Sequence, residues 1–275
     1  NITANNDAPV ATIVPVGYGL TEDDPAAPIG GLSVSDADAA GNDIEVTVSV
    51  NDGDLTLVTL TGLNFTGGAN GTSTFTVEGT LTDLNNALGT IQYEPDPNYF
   101  GVDTLTLTVD DLGNTGGGAK THFDTATITV SADNDAPTIT AIADQTPLED
   151  TATGAIAFTV GDVETAAGSL IVTATSDDQT LVPDANITLG GSGASRTINV
   201  LPGLNQNGGP ATITVTVDDG TTTTQTTFDV TVTPDNDAPT ITGIADQTPL
   251  EDTATGAIAF TVGDVETAAG SLIVT

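Results

Sequence analysis

Polar and apolar residues alternate along much of the chain. In Glu45-Val46-Thr47-Val48-Ser49-Val50, every second residue is apolar, and residues 104–109 and 125–130 follow the same rule. A period of two is that of a strand with one face buried and one in water. Thr dominates the polar phase, which suits a pleated, solvated surface. Asn51-Asp52-Gly53-Asp54 supplies turn residues before Leu55-Thr56-Leu57-Val58, so these two strands are predicted to form a hairpin. Residues 72–77 follow the Asn70-Gly71 turn signal and add another strand. Strands are also predicted at 155–160, 170–175, 196–200, 212–217 and 228–232, with Asp219-Gly220 turning the last pair. One stretch breaks the period. Leu81, Leu84 and Leu88 fall at i, i+3, i+7 and predict one or two helical turns in a crossover between sheets, with Thr82 as N-cap.

A long-range repeat organises these elements. Asp133 to Thr173 recurs 102 residues on, from Asp235 to Thr275, identical except that Gly243 stands where the first copy has Ala141. Both copies open with Asp-Asn-Asp-Ala-Pro, and Asn5-Asn6-Asp7-Ala8-Pro9 is a relative near the start. Stacked small units repeat every 20–50 residues, so a period near a hundred means tandem globular domains. The division expected is a tail of a preceding domain at 1–5, domains at 6–133 and 134–235, and the opening part of a third repeat at 236–275. Within it, Asn1-Ile2-Thr3-Ala4 aligns with the last-strand tails Val130-Ser131-Ala132 and Val232-Thr233-Pro234. Seven or so short strands per hundred residues predict an all-β fold of tandem immunoglobulin-like Greek-key β-sandwiches in an elongated array. The chain has no Cys and no Trp, so Phe158, Phe228 and aliphatic residues must fill the cores.

Charge narrows the function. There are 38 Asp and Glu against 2 Lys and Arg, a net charge of −36. Repulsion on that scale opposes compaction unless counter-ions gather. Such a chain offers no basic surface for nucleic acid or for anionic lipid. No run of 18 apolar residues exists, so membrane insertion is not expected. The carboxylates either hold divalent cations or keep the protein soluble in a salty medium, and the two are compatible.

Hard divalent cations take several oxygen ligands. Asp133-Asn134-Asp135 offers three in a row, with Pro137 stiffening the backbone just past them. Acidic pairs at i and i+2 follow the second predicted strand of each domain: Asp36 with Asp38, and Asp162 with Glu164. Asp110 and Asp218 end the long alternating strands. Glu22 with Asp23, and Glu149 with Asp150, come early. An Asn-Asp-Ala-Pro sequence is also an ordinary turn; partners on both sides favour the metal reading.

In order and recurring, these motifs resemble cadherin repeats. Asp-Asn-Asp-Ala-Pro looks like their junction motif, Asp36-Ala37-Asp38 with Gly41 and Asn42 like their acidic loop, Glu22 and Glu149 like their early glutamate, and Asp110 and Asp218 like their late aspartate. The stretch from Tyr93-Glu94-Pro95 through Phe100-Gly101-Val102-Asp103 is similar to the bacterial cadherin-like repeats of large RTX-type surface adhesins, often exported by type I secretion. The resemblance covers essentially the whole chain. It implies Ca2+ between domains. At the first junction the ligands would be the Asn6 carbonyl, Asp7, Asp36, Asp38 and Asp110. At the middle one they would be Glu22, Asp133, the Asn134 carbonyl, Asp135, Asp162, Glu164 and Asp218. At the last they would be Glu149, Asp235, Asn236, Asp237, Asp264 and Glu266. There are departures. The Asp-Arg-Glu element of animal cadherins is absent, Asn5 replaces an aspartate, and Glu164 and Glu266 replace the loop's second aspartate. One or two ions per junction, with affinity on the order of 0.1–1 mM, would follow.

The expected function is therefore that of an extracellular or cell-surface array, a Ca2+-stiffened stalk or fibre that serves adhesion. Its partners would be neighbouring repeats, other copies in a fibre, or a surface or matrix ligand. A glycan- or protein-binding module, or spacers beside a secreted enzyme, are the alternatives. No enzyme is expected in the chain itself. One His, His122, cannot supply a triad or a transition-metal site and reads as a surface strand residue. Lys120 and Arg196 read as solvated, Gly190-Gly191-Ser192-Gly193 as a loop, and Tyr99-Phe100 as packed in the loop before a strand.

Overall fold

Alternation becomes strands wherever a second strand accepts the ladder. The computed structural model describes residues 5–15, 17–39, 41–114 and 116–275. The expected tail strand at residues 1–4 lies outside them. The chain divides into two units, Asn1–Asn134 and Asp135–Thr275, and the boundary falls inside the Asp-Asn-Asp pentapeptide.

Unit 1 carries β1 (Val10–Ile13), β2 (Gly17–Thr21), β3 (Ala27–Pro28), β4 (Leu32–Ser35), β5 (Ile44–Ser49), β6 (Gly53–Leu57), β7 (Asn64–Gly68), β8 (Thr74–Gly79), α1 (Leu81–Leu88), β9 (Ile91–Pro95), β10 (Gly101–Asp110) and β11 (Thr121–Ser131). The large sheet runs β2-β11-β10-β5-β8-β7; β3-β9-β6 and β1-β4 are smaller sheets. Val46 and Val48 on β5, Leu105 and Leu107 on β10 and Ile128 on β11 are fully buried with Leu55, Ile91 and Tyr93 in one core. Each such side chain contributes roughly 1.5–3 kcal/mol of transfer free energy.

The predicted hairpin of β5 with β6 does not form. β5 pairs with β10 and β8, while β6 pairs with β9 in another sheet. The cause is Asp103. Its buried carboxylate accepts the N–H of Asn51 (2.9 Å) and of Asp52 (3.1 Å) and the hydroxyl of Tyr93 (3.1 Å). The turn is thereby captured by a residue some fifty positions away and the chain crosses to the second layer. The helix lies between β8 and β9, as predicted for a crossover, but its cap is Thr80 rather than Thr82: the Thr80 hydroxyl accepts the Asp83 N–H.

Unit 2 carries β12 (Thr138–Ile139), β13 (Ile156–Gly161), β14 (Ile171–Ser176), β15 (Ile187–Ser192), β16 (Ser195–Val200), β17 (Gly208–Asp218), β18 (Thr223–Val232), β19 (Thr240–Ile241) and β20 (Val262–Gly263). One sheet is β12-β13-β16-β15, another β14-β17-β18, and β19-β20 stands apart. Phe158 and Phe228 fill the core as expected, with Val160, Ile198, Ile213 and Val230. Gly190-Gly191-Ser192 is not a loop. It extends β15 along β16, and only Gly193-Ala194 turns. Arg196 is not simply solvated either: its guanidinium donates to the carbonyls of Gly193, Ala167 and Leu170. Both units are all-β sandwiches. Among the described residues no helix is long and apolar enough to cross a membrane, which says nothing of a β-barrel.

Candidate functional site

Parallel strand pairing places the early glutamates. β2 runs parallel to β11, and its last step is the Glu22 N–H donating to the Ser131 carbonyl at 2.9 Å. Glu22 is buried there, and its Oε1 accepts the Asp133 N–H at 3.1 Å. Unit 2 repeats the device with two isolated parallel bridges, Gln145 to Val230 and Leu148 to Thr233. The Glu149 N–H donates to the Thr233 carbonyl at 2.9 Å, and Glu149 Oε1 accepts the Asp235 N–H at 2.8 Å. Asn207 Nδ2 holds the other oxygen at 3.2 Å. The next step also recurs: the Asn134 and Asn236 N–H groups donate to the Asp133 and Asp235 carboxylates at 3.0 and 3.1 Å.

The acidic loops recur as faithfully. Asp36 Oδ1 accepts the N–H of Asp38 (2.6 Å) and Ala39 (2.9 Å). Asp162 Oδ1 accepts those of Glu164 (3.1 Å) and Thr165 (2.6 Å), and Asp264 Oδ1 accepts that of Thr267 (2.7 Å). The second acid of each pair takes the N–H of the pentapeptide aspartate. Asp38 holds Asp7 at 2.5 Å, Glu164 holds Asp135 at 2.9 Å, and Glu266 holds Asp237 at 3.1 Å. Glu therefore does the work of Asp at this position. Asp110 and Asp218 each cap their own turn, accepting from Leu112 and Gly220 at 2.8 and 2.7 Å.

One oxygen of Asp36, of Asp162 and of Glu164 ties down backbone, and the other has nothing. Asp36 Oδ2, Asp162 Oδ2, Glu164 Oε1 and Asp237 Oδ2 are buried atoms without a hydrogen-bond partner. A buried carboxylate oxygen in that state carries a desolvation cost that only a donor or a cation offsets. Burial, with repulsion from Glu266, Asp150, Glu149 and Asp235, pushes the Asp237 carboxyl above the ordinary aspartate value. Unit 2 thus brings Glu149, Asp235, Asp237 and Glu266 into one mutually repelling field. The donor set is all oxygen, which suits a hard cation such as Ca2+ and not a transition metal. Among the described residues no group of three or more Asp, Glu or His side chains forms a ready-made metal cage.

Motif reading missed two residues. Asp111, the neighbour of Asp110, is buried and holds the Asn6 side-chain amide at 2.7 Å. Burial raises its pKa, but the N–H groups of Lys120 and Gly113, the Asn6 amide and the Lys120 charge more than offset that and hold it below the usual value. Lys120 is not merely solvated: its ammonium donates to the Asn6 main-chain carbonyl. His122 lies on β11, exposed as expected, and its Nδ1 accepts the Ala11 N–H at 3.1 Å.

No family model and no curated protein matches the chain. Solved structures similar to it include human protocadherin-24 EC1-2, 13% identical, covering 83% of this chain and all of that one with a TM-score of 0.41. Titin domains Z1Z2 in complex with telethonin are 13% identical over 84% of this chain and all of that one, with a TM-score of 0.35. An endo-fucoidan hydrolase of glycoside hydrolase family 107 is 17% identical over 83% of this chain but 29% of its own, at 0.29. Likeness this distant assigns neither activity nor ligand.

Proposed function

We propose that the chain is part of an extracellular structural or adhesive repeat array, of the kind found on large bacterial surface proteins, that is stiffened by Ca2+ held at the repeat ends. The observation that carries this is the set of buried, unpartnered oxygens on Asp36, Asp162, Glu164 and Asp237, at recurring positions of a chain with 38 acids and 2 basic residues. In unit 2, Glu149, Asp235, Asp237, Asp264 and Glu266 would hold the ion, with the Asn236 carbonyl. Within unit 1 the candidates are Asn6, Asp7, Asp36, Asp38 and Asp110, and separately Glu22 with Asp133 and Asn134; within unit 2 they also include Asp135, Asp162, Glu164 and Asp218. Bound Ca2+ supplies positive charge to these oxygens. The part of the loop acids Asp36, Asp162, Glu164, Asp264 and Glu266 is to keep one oxygen on a backbone N–H, so that the loops enter with their shape set. No catalytic role is assigned to the chain; its partners are repeats of its own kind, other copies in a fibre, or a surface or matrix ligand.

The test is small-angle scattering and calorimetry of the full chain in chelator and in millimolar calcium. Calcium should raise the unfolding temperature and reduce flexibility, with half-effect on the order of 0.1–1 mM. Identical curves in both media would remove the metal, leaving acidic β-domains with no ion to stiffen them.

A further inference from the structure

The two units differ at one matching position. In unit 1 the Lys120 N–H donates to Asp111 Oδ1 at 2.8 Å; in unit 2 the Thr222 N–H donates to Asp219 Oδ1 at 2.7 Å. Lys120 and Thr222 each immediately precede the strand, β11 or β18, that closes the hairpin. Thr222 turns its hydroxyl onto Asp219 Oδ2 at 2.9 Å. Lys120, the only lysine of the chain, instead extends to the Asn6 main-chain oxygen. Asn6 is thereby gripped twice. Its amide reaches Asp111 Oδ2 at 2.7 Å and the Gly118 carbonyl at 3.0 Å, while its carbonyl receives the ammonium. The cadherin resemblance assigns a carbonyl of Asn6 to calcium. An ammonium is a compact point charge with three donors, the side chain best able to do a cation's work at an oxygen-lined end.

We propose that Lys120 is a resident cation that closes the Asn6 end of unit 1 without metal. The contrast with a calcium-requiring unit 2 rests on the function proposed above; the clasp itself does not. The buried Asp111 carboxylate joins the clasp, taking the Lys120 N–H on one oxygen and the Asn6 amide on the other. Because Lys120 is exposed, solvent screens the interaction and the effect is modest.

The experiment uses the full chain as wild type, Lys120→Met and Lys120→Arg, with each unit followed by hydrogen-exchange mass spectrometry during thermal unfolding. In chelator, Lys120→Met should lower the unit 1 transition by about 2–5 °C and speed exchange around residues 5–9, while Lys120→Arg restores both. Equal behaviour of Lys120→Met and wild type in chelator, or failure of Lys120→Arg to restore it, would overturn the proposal. Where millimolar calcium shifts the transitions at all, it should recover unit 1 of Lys120→Met more than it raises unit 1 of wild type; an equal upward shift of the two would also overturn it. If calcium shifts no transition in any variant while the charge-dependent loss in chelator persists, the calcium reading falls and the lysine clasp stands.

Discussion

A stretch of 41 residues occurs twice in this molecule with one substitution, Ala141 against Gly243, and the two copies adopt different states. In the first copy Phe158 is 3% exposed and Ile142 6%; in the second, Phe260 is 40% exposed and Ile244 52%. The first copy forms β13 over six residues, paired to β16, and β14, paired to β17. The second forms only the two-residue pair of β19 with β20. The acidic loops, by contrast, are alike. The backbone N–H groups of Asp135 and Asp237 donate to the carboxylates of Glu164 and Glu266, Asp162 and Asp264 cap the same backbone, and Thr138 and Thr240 pair with Gly161 and Gly263. The acidic loop is thus a local construction, set by Asx capping and one short bridge. The sandwich is not local; it needs β16, β17 and β18 to receive the apolar phase.

The most forceful way to break this comparison is to cut the same ring from both copies. Phe158→Ala should cost about 3–5 kcal/mol of unit 2 stability, since a buried aromatic leaves a cavity. Phe260→Ala should change it by less than about 0.5 kcal/mol, as exposed positions do. Denaturant unfolding followed by circular dichroism reads both. Equal losses would mean that the second copy packs in solution as the first does.

The next largest contrast is at the glutamates. Glu149 is buried and accepts from Asp235 and Asn207; its counterpart Glu251 is exposed. Glu149→Ala should cost about 1–3 kcal/mol, because it removes a buried, charged acceptor from two hydrogen bonds, and should abolish any calcium-dependent rise in unit 2. Glu251→Ala should do neither. A full calcium response in Glu149→Ala would take this residue out of the ion's surroundings.

Acid separates the two units by sign. Asp237 has a raised pKa, so its folded form holds a proton more tightly than its unfolded form. The penalty it imposes is present at neutral pH and is relieved as pH falls toward its folded pKa. Asp103 behaves oppositely. Burial raises its pKa, but the N–H groups of Asn51, Asp52 and Thr104 and the Tyr93 hydroxyl outweigh burial and leave it depressed. Its contribution is present above the ordinary aspartate value and is lost as pH falls through its lower folded one. In chelator, mild acid should therefore raise the protection factors (exchange corrected for its intrinsic slowing in acid) around residues 235–237 and 264–267, while stronger acid lowers those at the Asn51–Asp52 crossing of unit 1. Unchanged or lower protection factors at 235–237 under mild acid would mean that these carboxylates do not repel one another.

Which parts were readable in advance follows from the same distinction. Alternation announced β5, β10, β11, β17 and β18, because each buries one face. The Asp-Asn-Asp motif, the loop acids and the early glutamates were readable because their hydrogen bonds are short-range or follow strand order. The β5–β6 turn misled, because Asn51-Asp52-Gly53 is good hairpin chemistry and its capture by Asp103 leaves no local trace. Gly190-Gly191-Ser192 reads as loop until β16 is there to pair with it. Asp111 was hidden beside Asp110: two adjacent acids look equivalent in sequence, and only the hairpin fold turns one inward to Asn6. Lys120 was hidden for the same reason.

The smallest expected effect probes the turn that the two copies share. Gly154 and Gly256 both adopt left-handed backbone, φ +77° and +75°, and in neither case would an added Cβ meet an atom within 4 Å. Space is therefore not the issue, and an alanine at either position carries only the conformational cost of that region, about 1 kcal/mol. In the first copy the turn is tied into the sandwich: the adjacent Thr153 N–H donates to Val200 at 2.9 Å, and the Val200 N–H returns to the Thr153 hydroxyl at 3.1 Å. The strain cannot be shed without breaking β16, so Gly154→Ala should lower unit 2 stability by about that amount. In the second copy the matching Thr255 reaches only the carbonyl of the next residue, Gly256. There the backbone can leave the left-handed region at no cost to a core, and Gly256→Ala should leave the unfolding midpoint where it was. A loss at Gly256 equal to that at Gly154 would show that the turn is held by something beyond its own residues.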